Sequence, residues 1–488
     1  MCTTILVGKN ASYDGSTIAA RIEDSSATMF KAKKFIVVNP EDQPINYKSV
    51  RTDCEIKLPE NPLRYTCLPN VKKWRGIWGC CGVNEKNVSV SGTETSTTNE
   101  RVLGADPLVE YKEGEIKNGG IGEEDIVAIV LPYINSAKEG VIRLGELIKT
   151  YGTYESNGVI FQDENDIWYF ESIGGHHWLA RRVPDDSYVV NPNQFGIDRF
   201  EFDDALGAQE EYMCSEDLKE FVEENHLDLS LTEEFDPRAA FGSDTTNDHS
   251  YNTPRAWVMH RYFNKNTFEF DGEYADFRPD DNDLPWAMVP EKKITIADVK
   301  TVMSNHYEET PYDPYLKYGD KSLIGKFRPI GINRDDVVAI VQIRPYMPEE
   351  IKSVKWLAFG CNVFNAVVPY YSNVKDTPAY LRDTTLTPTT ENFYWVNRLI
   401  ASMSDPHFSE TGAARDSYQL DVISKGYEIL NKYDKEFIEK KPENVEEFLE
   451  KANEEMTDYL KTRTDEYLDE VLFTSSMLMK NAYSRSDA

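Results

Sequence analysis

The sequence predicts a layered α+β domain, and three observations carry that reading. Apolar residues switch along the chain between the two-residue period of strands and the 3.6-residue period of helices. Their order is strands, helices, strands, helices, more strands and finally helices, the pattern of sheets covered by segregated helices. No internal repeat or low-complexity linker divides the chain, and 40% hydrophobic and 12% aromatic content across 488 residues can fill a large core.

The first element is an N-terminal hairpin. "TTILV" (Thr3–Val7) and "STIAAR" (Ser16–Arg21) are β-branched apolar runs, and the Asp14-Gly15 pair between them signals a tight turn. Asn87 to Glu94 follows a polar turn and reads as a strand. "EEDIVAIVLPYINSAKEGVIRLGELIKTYG" has helical spacing with a break near Pro132, which predicts two consecutive helices. From Gly158 the period shortens. Four β-rich runs, with turns at Asp163–Asp166, Gly174-Gly175 and Pro184–Asp186, predict an antiparallel meander. Further strands are expected at Val337–Ile343 and Trp356–Phe359. In the tail, Val445, Phe448, Leu449, Ala452, Met456, Leu460, Tyr467 and Val471 recur at helical spacing, and Pro442 suits the first turn of that helix.

Charge excludes several classes of partner. Lys and Arg total 53 against 84 Asp and Glu, a formal net charge of -31. Such a surface repels nucleic-acid phosphates and anionic lipid, so neither nucleic acid nor membrane is an expected partner. There is no apolar run of the roughly 18 residues a spanning helix needs, and the N-terminus lacks the basic-then-apolar pattern of a signal peptide. Seven cysteines, an odd number with no C-x-x-C pair, fit a cytoplasmic chain with reduced thiols. The adjacent Cys80 and Cys81 read as small buried residues.

Cys2 is the residue that points to chemistry. A nucleophile inside a chain needs a neighbouring base, whereas one at the chain start can use its own α-amine. That amine has a reference pKa of roughly 7.7–8.0, so much of it is neutral near pH 7–8. Exposing it requires removal of Met1, and a chain that keeps Met1 is expected to be inactive because its Cys2 nitrogen is an amide. A nearby cation would raise the thiolate fraction. The hairpin supplies one: antiparallel pairing through Asp14-Gly15 brings Arg21 close to Cys2, with Asp24 just beyond.

These residues carry a resemblance. "MCTTILVGKNASYDGSTIAARIEDS", "GVNEKNVSVSGTETSTTNERVLGADPLV", "GGHHWLARRVPDDSYVVNPNQF" and "TPRAWVMHRYF", in this order with Cys at position 2, resemble the dipeptidase A family. That family belongs to the N-terminal-nucleophile cysteine hydrolases and is related to penicillin V acylase and bile-salt hydrolase. The resemblance implies a four-layer αββα sandwich with the nucleophile on its first strand and a C-terminal helical extension. It places a catalytic domain over residues 2–390 and a mainly helical segment over 391–488, packed on the core or on another subunit.

The implied activity is cysteine-type hydrolysis of dipeptides or short peptides of broad side-chain range, with no metal or cofactor, and the long amphipathic tail points to a homo-oligomer. The implied roles follow by position. Cys2 is nucleophile and, through its amine, base. Arg21 stabilises the thiolate and Asp24 orients the amine. Asn191 matches an asparagine near the reacting carbonyl, and Arg255 a late active-site arginine. Glu94 falls where the acylase relatives carry an oxyanion-binding asparagine. An ionised carboxylate has no proton to donate, so either backbone N–H groups bind the oxyanion or Glu94 has another task, such as holding the substrate's ammonium. A second departure is Ile22, which replaces a polar residue of the family pattern. The alternatives are an amidase acting on N-acyl amino acids or related amides, and an inactive binding protein on the same fold.

Three other motifs have plainer readings. His176 and His177 on one strand would point to opposite faces and could not share a metal. "TPYDPYLKYGD" (Thr310–Asp320) is a structured loop with tyrosine packing, or an aromatic lid. "GSDTTNDHSYNTPR" (Gly242–Arg255) is polar and turn-rich, suited to contact substrate. "GGIGEED" (Gly119–Asp125) lacks the lysine and spacing of a phosphate loop.

Overall fold

The computed structural model describes residues 2–480 except 27–28, 73–77, 95, 111–118 and 233, and the side chains of Thr93 and Glu94 also lie outside the described set. The N-terminal hairpin forms: β1 (Cys2–Val7) and β2 (Thr17–Asp24) pair antiparallel, with Thr4 opposite Arg21 and Cys2 opposite Glu23. Gly15 takes φ 85° in the turn, a left-handed conformation that costs glycine little. The second strand runs past Arg21 through Ile22, Glu23 and Asp24. Its buried carboxylates are accommodated by cations, Glu23 by Lys33 and Asp24 by Arg328.

β1 and β2 lie inside a seven-stranded sheet in the order Ala287–Met288, Tyr188–Asn191, β1, β2, Asp335–Ile343, Ser353–Phe359, Val368–Tyr371. An eight-stranded sheet faces it, in the order Tyr212–Cys214, Trp178–Arg182, Ile167–Ser172, Asn157–Gln162, Ser89–Glu94, Cys81–Asn84, Tyr65–Cys67, Ile36–Val38. Side-chain alternation assigns the layers. Leu6 and Ala19 share a core with Ile160, Tyr169 and Leu179, between the sheets. Ile5, Val7, Ala20 and Ile22 face the other way, onto the helices Thr253–Asn264 and Ile296–Met303. Val159, Phe161, Trp168 and Phe170 turn from the second sheet onto the helices Glu123–Val130 and Ala137–Tyr151. The order is helix, sheet, sheet, helix. Both faces of the inner strands are covered, which is why β1 and β2 are buried at every residue.

Three of the four β-rich runs after Gly158 form the meander, and the fourth does not. Tyr188–Asn191 crosses to the other sheet and pairs with β1, Thr4 opposite Asn191. Tyr212–Cys214 takes the place beside Trp178–Arg182. The crossing chain passes tightly over the end of β1, where a Cβ added to Gly8 would sit 2.3 Å from the Pro184 carbonyl oxygen. The expectation for the two histidines also changes. They lie in the turn before the Trp178–Arg182 strand, and both Nδ1 atoms meet Asp106, at 3.3 and 2.8 Å. His177 stacks on Phe221, so the pair anchors a turn. Among the described residues no group of three His, Cys, Asp or Glu side chains converges as metal ligands.

The tail packs on the seven-stranded sheet as the helices Phe393–Ser404, Gly412–Lys440 and Val445–Met477. Asn444 caps the last of these, accepting from the Glu447 N–H, so Pro442 lies ahead of the helix and not in its first turn. Tyr418, Ile429, Leu449, Met456, Leu460 and Tyr467 share one apolar core with Trp356 and Tyr370. The carboxamide of Asn453 accepts from Tyr371 N at 2.9 Å and donates to Tyr371 O at 3.1 Å, covering a strand edge that would otherwise be open. Among the described residues no helix is long and apolar enough to cross a membrane. The Thr310–Asp320 loop is packed: Tyr312 meets Phe327 and Tyr315 stacks on Phe408.

Candidate active site

Cys2 opens β1 with its side chain on the face between the sheets. The hairpin register puts Arg21 opposite Thr4, diagonal to Cys2 on that same face. Arg21 Nη2 lies 2.9 Å from Cys2 Sγ. Both residues are buried, at 2% and 1% exposure. A buried guanidinium needs acceptors and counter-charge. Nη1 donates to the Cys80 carbonyl at 3.2 Å, and Nη2 also pairs with Glu123, the first residue of the Glu123–Val130 helix. Burial alone would lower the Arg21 pKa, but Cys2 and then Glu123 outweigh it and push it up. Glu23 lies on the same face of β2. Burial opposes its charge, yet Lys33, 2.7 Å away, brings its pKa down to about 2.

A second cluster holds the backbone of Cys2. The Cys2 N–H donates to Asn193 Oδ1 at 2.9 Å. Arg255 Nη2 meets the same oxygen at 3.0 Å, while Nη1 donates to the Cys2 carbonyl at 2.6 Å and to Thr3 Oγ1 at 2.7 Å. Asn252 Oδ1 takes Nη2 at 2.6 Å, and the Tyr251 carbonyl takes Nε at 2.5 Å. Asn252 in turn donates to Asn193 O and to Asp248. Pro254 at the start of the Thr253–Asn264 helix sets where that helix begins and so where Arg255 projects. A cation in a first helical turn opposes the helix dipole. Burial, and then the nearby Arg328, pull the Arg255 pKa down to about 9. The polar segment before Arg255 therefore holds the arginine and Asn193 that contact the Cys2 backbone.

The structure brings Cys2, Arg21 and Arg255 together and places the other expected residues around them. Asp24 points to the opposite face of β2 from Arg21, toward the helix layer. Burial would raise its pKa, but its ion pair with Arg328 outweighs this and lowers it. Asp335 lies across from it in register, and burial, then the Asp24 charge, push the Asp335 pKa well up. Ile22 lies on that same helix-side face, in the apolar core, and does not face the thiol. Asn191 stands opposite Thr4 with its Nδ2 turned to the Tyr169 hydroxyl and to the Pro192 and Gln194 carbonyls. Asn193 is the asparagine at the Cys2 nitrogen. Glu94 ends its strand with its backbone opposite Asn157, and its side chain lies outside the described residues.

Sequence reasoning passed over Asn193, Glu123, Asn252 and Arg328. Asn193 has a signal in the second asparagine of "NPN", and Glu123 stands in "GGIGEED", a segment without phosphate-loop spacing. Under the turn that carries Asn193, Glu171 accepts from the Gly196 N–H at 2.7 Å, and complete burial pushes its pKa up to about 8.

The sequence matches Peptidase family C69 over residues 1–421. It is 55% identical over 442 residues to a dipeptidase of Bifidobacterium longum, covering 89% of this chain and 83% of that one. It is 50% identical over 487 residues to a probable dipeptidase A of Streptococcus pyogenes, covering 100% and 98%. A dipeptidase A of Lactobacillus helveticus is 45% identical over 438 residues, covering 89% and 88%. Among solved structures, the C2A mutant of conjugated bile acid hydrolase from Clostridium perfringens aligns at 10% identity and a TM-score of 0.27, covering 76% of this chain and 96% of that one.

Proposed function

The chain belongs to Peptidase family C69, and from that premise we propose that it is a cysteine-type dipeptidase whose nucleophile is the N-terminal Cys2 left after Met1 is removed. The observation that carries this is the contact of Arg21 Nη2 with Cys2 Sγ at 2.9 Å, beside a Cys2 nitrogen held by Asn193. The free α-amine takes the thiol proton as sulfur attacks the peptide carbonyl carbon. The amine then returns that proton to the departing amino group as the C–N bond breaks, leaving an acyl-thioester. A water gives a proton to the same amine and attacks the thioester, and sulfur leaves with a proton as the acid is released. Arg21 favours the thiolate form, and Asn193 with Arg255 hold the amine in line. Neither a metal nor a cofactor enters these steps.

The test is turnover of a free dipeptide and of its N-acetylated analogue by protein whose exposed Cys2 is verified by intact mass. Wild-type chain is expected to cleave the dipeptide in preference, and Cys2→Ala to abolish cleavage. Equal turnover by Cys2→Ala would sink the reading, and preference for the acetylated compound would favour an acylase. The proposal includes a cytoplasmic, homo-oligomeric enzyme. Apolar residues exposed near the end of the last helix, Leu472, Phe473 and Met477, support self-association, which light scattering would measure.

A further inference from the structure

The dipeptidase chemistry leaves without a task the buried ionic contact of the Glu123 carboxylate with Arg21. We propose that Glu123 is a positioning residue for the nucleophile: it fixes the Arg21 guanidinium against Cys2 and shares its charge, so that the thiol is activated without being permanently ionised. This rests on the reading of Cys2 as the nucleophile.

The geometry is specific. Nη2 of a guanidinium carries two hydrogens, and here one faces Cys2 Sγ at 2.9 Å while the other faces Glu123. Nη1 is held by the Cys80 carbonyl. Contacts from β1, from a helix and from the segment before Cys81–Asn84 fix a rigid planar group from three sides, which a lysine could not satisfy. The Arg21 and Glu123 side chains are 1% and 2% exposed, so solvent screens their attraction little. Glu123 is itself fixed. It opens the Glu123–Val130 helix, where a carboxylate suits the dipole, and its N–H donates to Glu155 at 2.8 Å.

Among the described residues the other charged groups near the site have ion-pair or hydrogen-bond partners of their own. Glu23 is paired with Lys33, and Lys33 also donates to the Trp78 carbonyl. Glu124 meets Tyr154 and Asp125 meets Tyr47. Arg255 binds the Cys2 backbone, Asp24 pairs with Arg328 on the far face of β2, and burial pushes the neighbouring Cys80 thiol up. Among the described residues Glu123 is thus the carboxylate that bonds Arg21 directly, with Glu23 acting from farther away. Without it, the thiol would face a buried cation with less counter-charge and ionise at lower pH. A thiolate of very low proton affinity is a weaker nucleophile, and its proton would no longer match the α-amine that must carry it.

The pH dependence of Cys2 alkylation by iodoacetamide, read by mass spectrometry on the N-terminal peptide, reports thiol ionisation without any peptide cleavage. In Glu123→Gln the inflection is expected to move to lower pH by roughly one unit or more. In Glu123→Asp, which keeps the charge on a shorter arm, the inflection stays near wild type while kcat falls about tenfold through looser placement of Arg21. An unmoved inflection in folded Glu123→Gln overturns the proposal and leaves an ordinary structural ion pair. If Glu123→Gln does not fold, wild-type kcat and wild-type alkylation in Glu123→Asp overturn it instead. A chain that cleaves no dipeptide yet shows the shift would discard the substrate reading and keep the Glu123 assignment.

Discussion

Asn193 Oδ1 receives both the Cys2 N–H and Arg255 Nη2, so one side-chain oxygen ties the Cys2 nitrogen to the helix that begins at Thr253. On the proposed removal of Met1 that nitrogen becomes an amine whose lone pair can take a proton. Its orientation then depends on the acceptor that fixes one of its hydrogens. Replacing Asn193 by Ala removes this acceptor and also leaves Arg255 one partner short. The expected result is a fall in kcat of roughly a hundredfold, the scale of a small misplacement of reacting groups, with KM little changed. Steady-state kinetics on a dipeptide would read it, and a wild-type kcat would show that the amine is oriented by something else. Arg21 depends on position in the same way, because its value lies in meeting the sulfur, Glu123 and the Cys80 carbonyl at once.

The turn from Pro192 to Ile197 carries Asn193, and the Ile167–Ser172 strand supports it from below through Glu171. In the folded chain Glu171 keeps its proton up to about pH 8, whereas its ordinary value is 4.5. Between those values the unfolded chain sheds a proton that the folded chain retains. Stability from this group is therefore full below the lower value and falls as pH rises through the upper one. Glu171→Gln keeps the shape and an acceptor for Gly196 but cannot ionise. Its melting temperature is expected to be flatter than wild type from about pH 5 to pH 8 and higher at the alkaline end. Differential scanning calorimetry across that range decides it, and a slope equal to wild type would place the charge change elsewhere. The N-terminal hairpin is the contrasting element: a local turn sets its register, and that register alone makes Arg21 a neighbour of Cys2.

Over the whole molecule, the last hundred residues finish the core. Trp356, Tyr370 and Tyr371 on the seven-stranded sheet are at most 1% exposed beneath the three C-terminal helices. Ending the chain at residue 390 would bare that face, including the strand edge that Asn453 covers. Such a chain is expected to show no cooperative melting by circular dichroism, and a soluble, cooperatively melting fragment would overturn this. The alternation of periods gave the strands and helices in order, and Asp14-Gly15 with the β-branched runs beside it gave the hairpin and the pairing of Arg21 with Cys2. Helical spacing likewise marked the tail. Each of those features is set by residues close along the chain, through turn chemistry and side-chain period. Tertiary structure decided the rest: that Tyr188–Asn191 joins the other sheet, that Asn193 and not Asn191 meets Cys2 across 191 positions, and that Glu123 meets Arg21 across 102. Periodicity says which side of a strand is buried but not which sheet it joins, and contacts so distant in sequence exist only once two sheets and their helices have stacked.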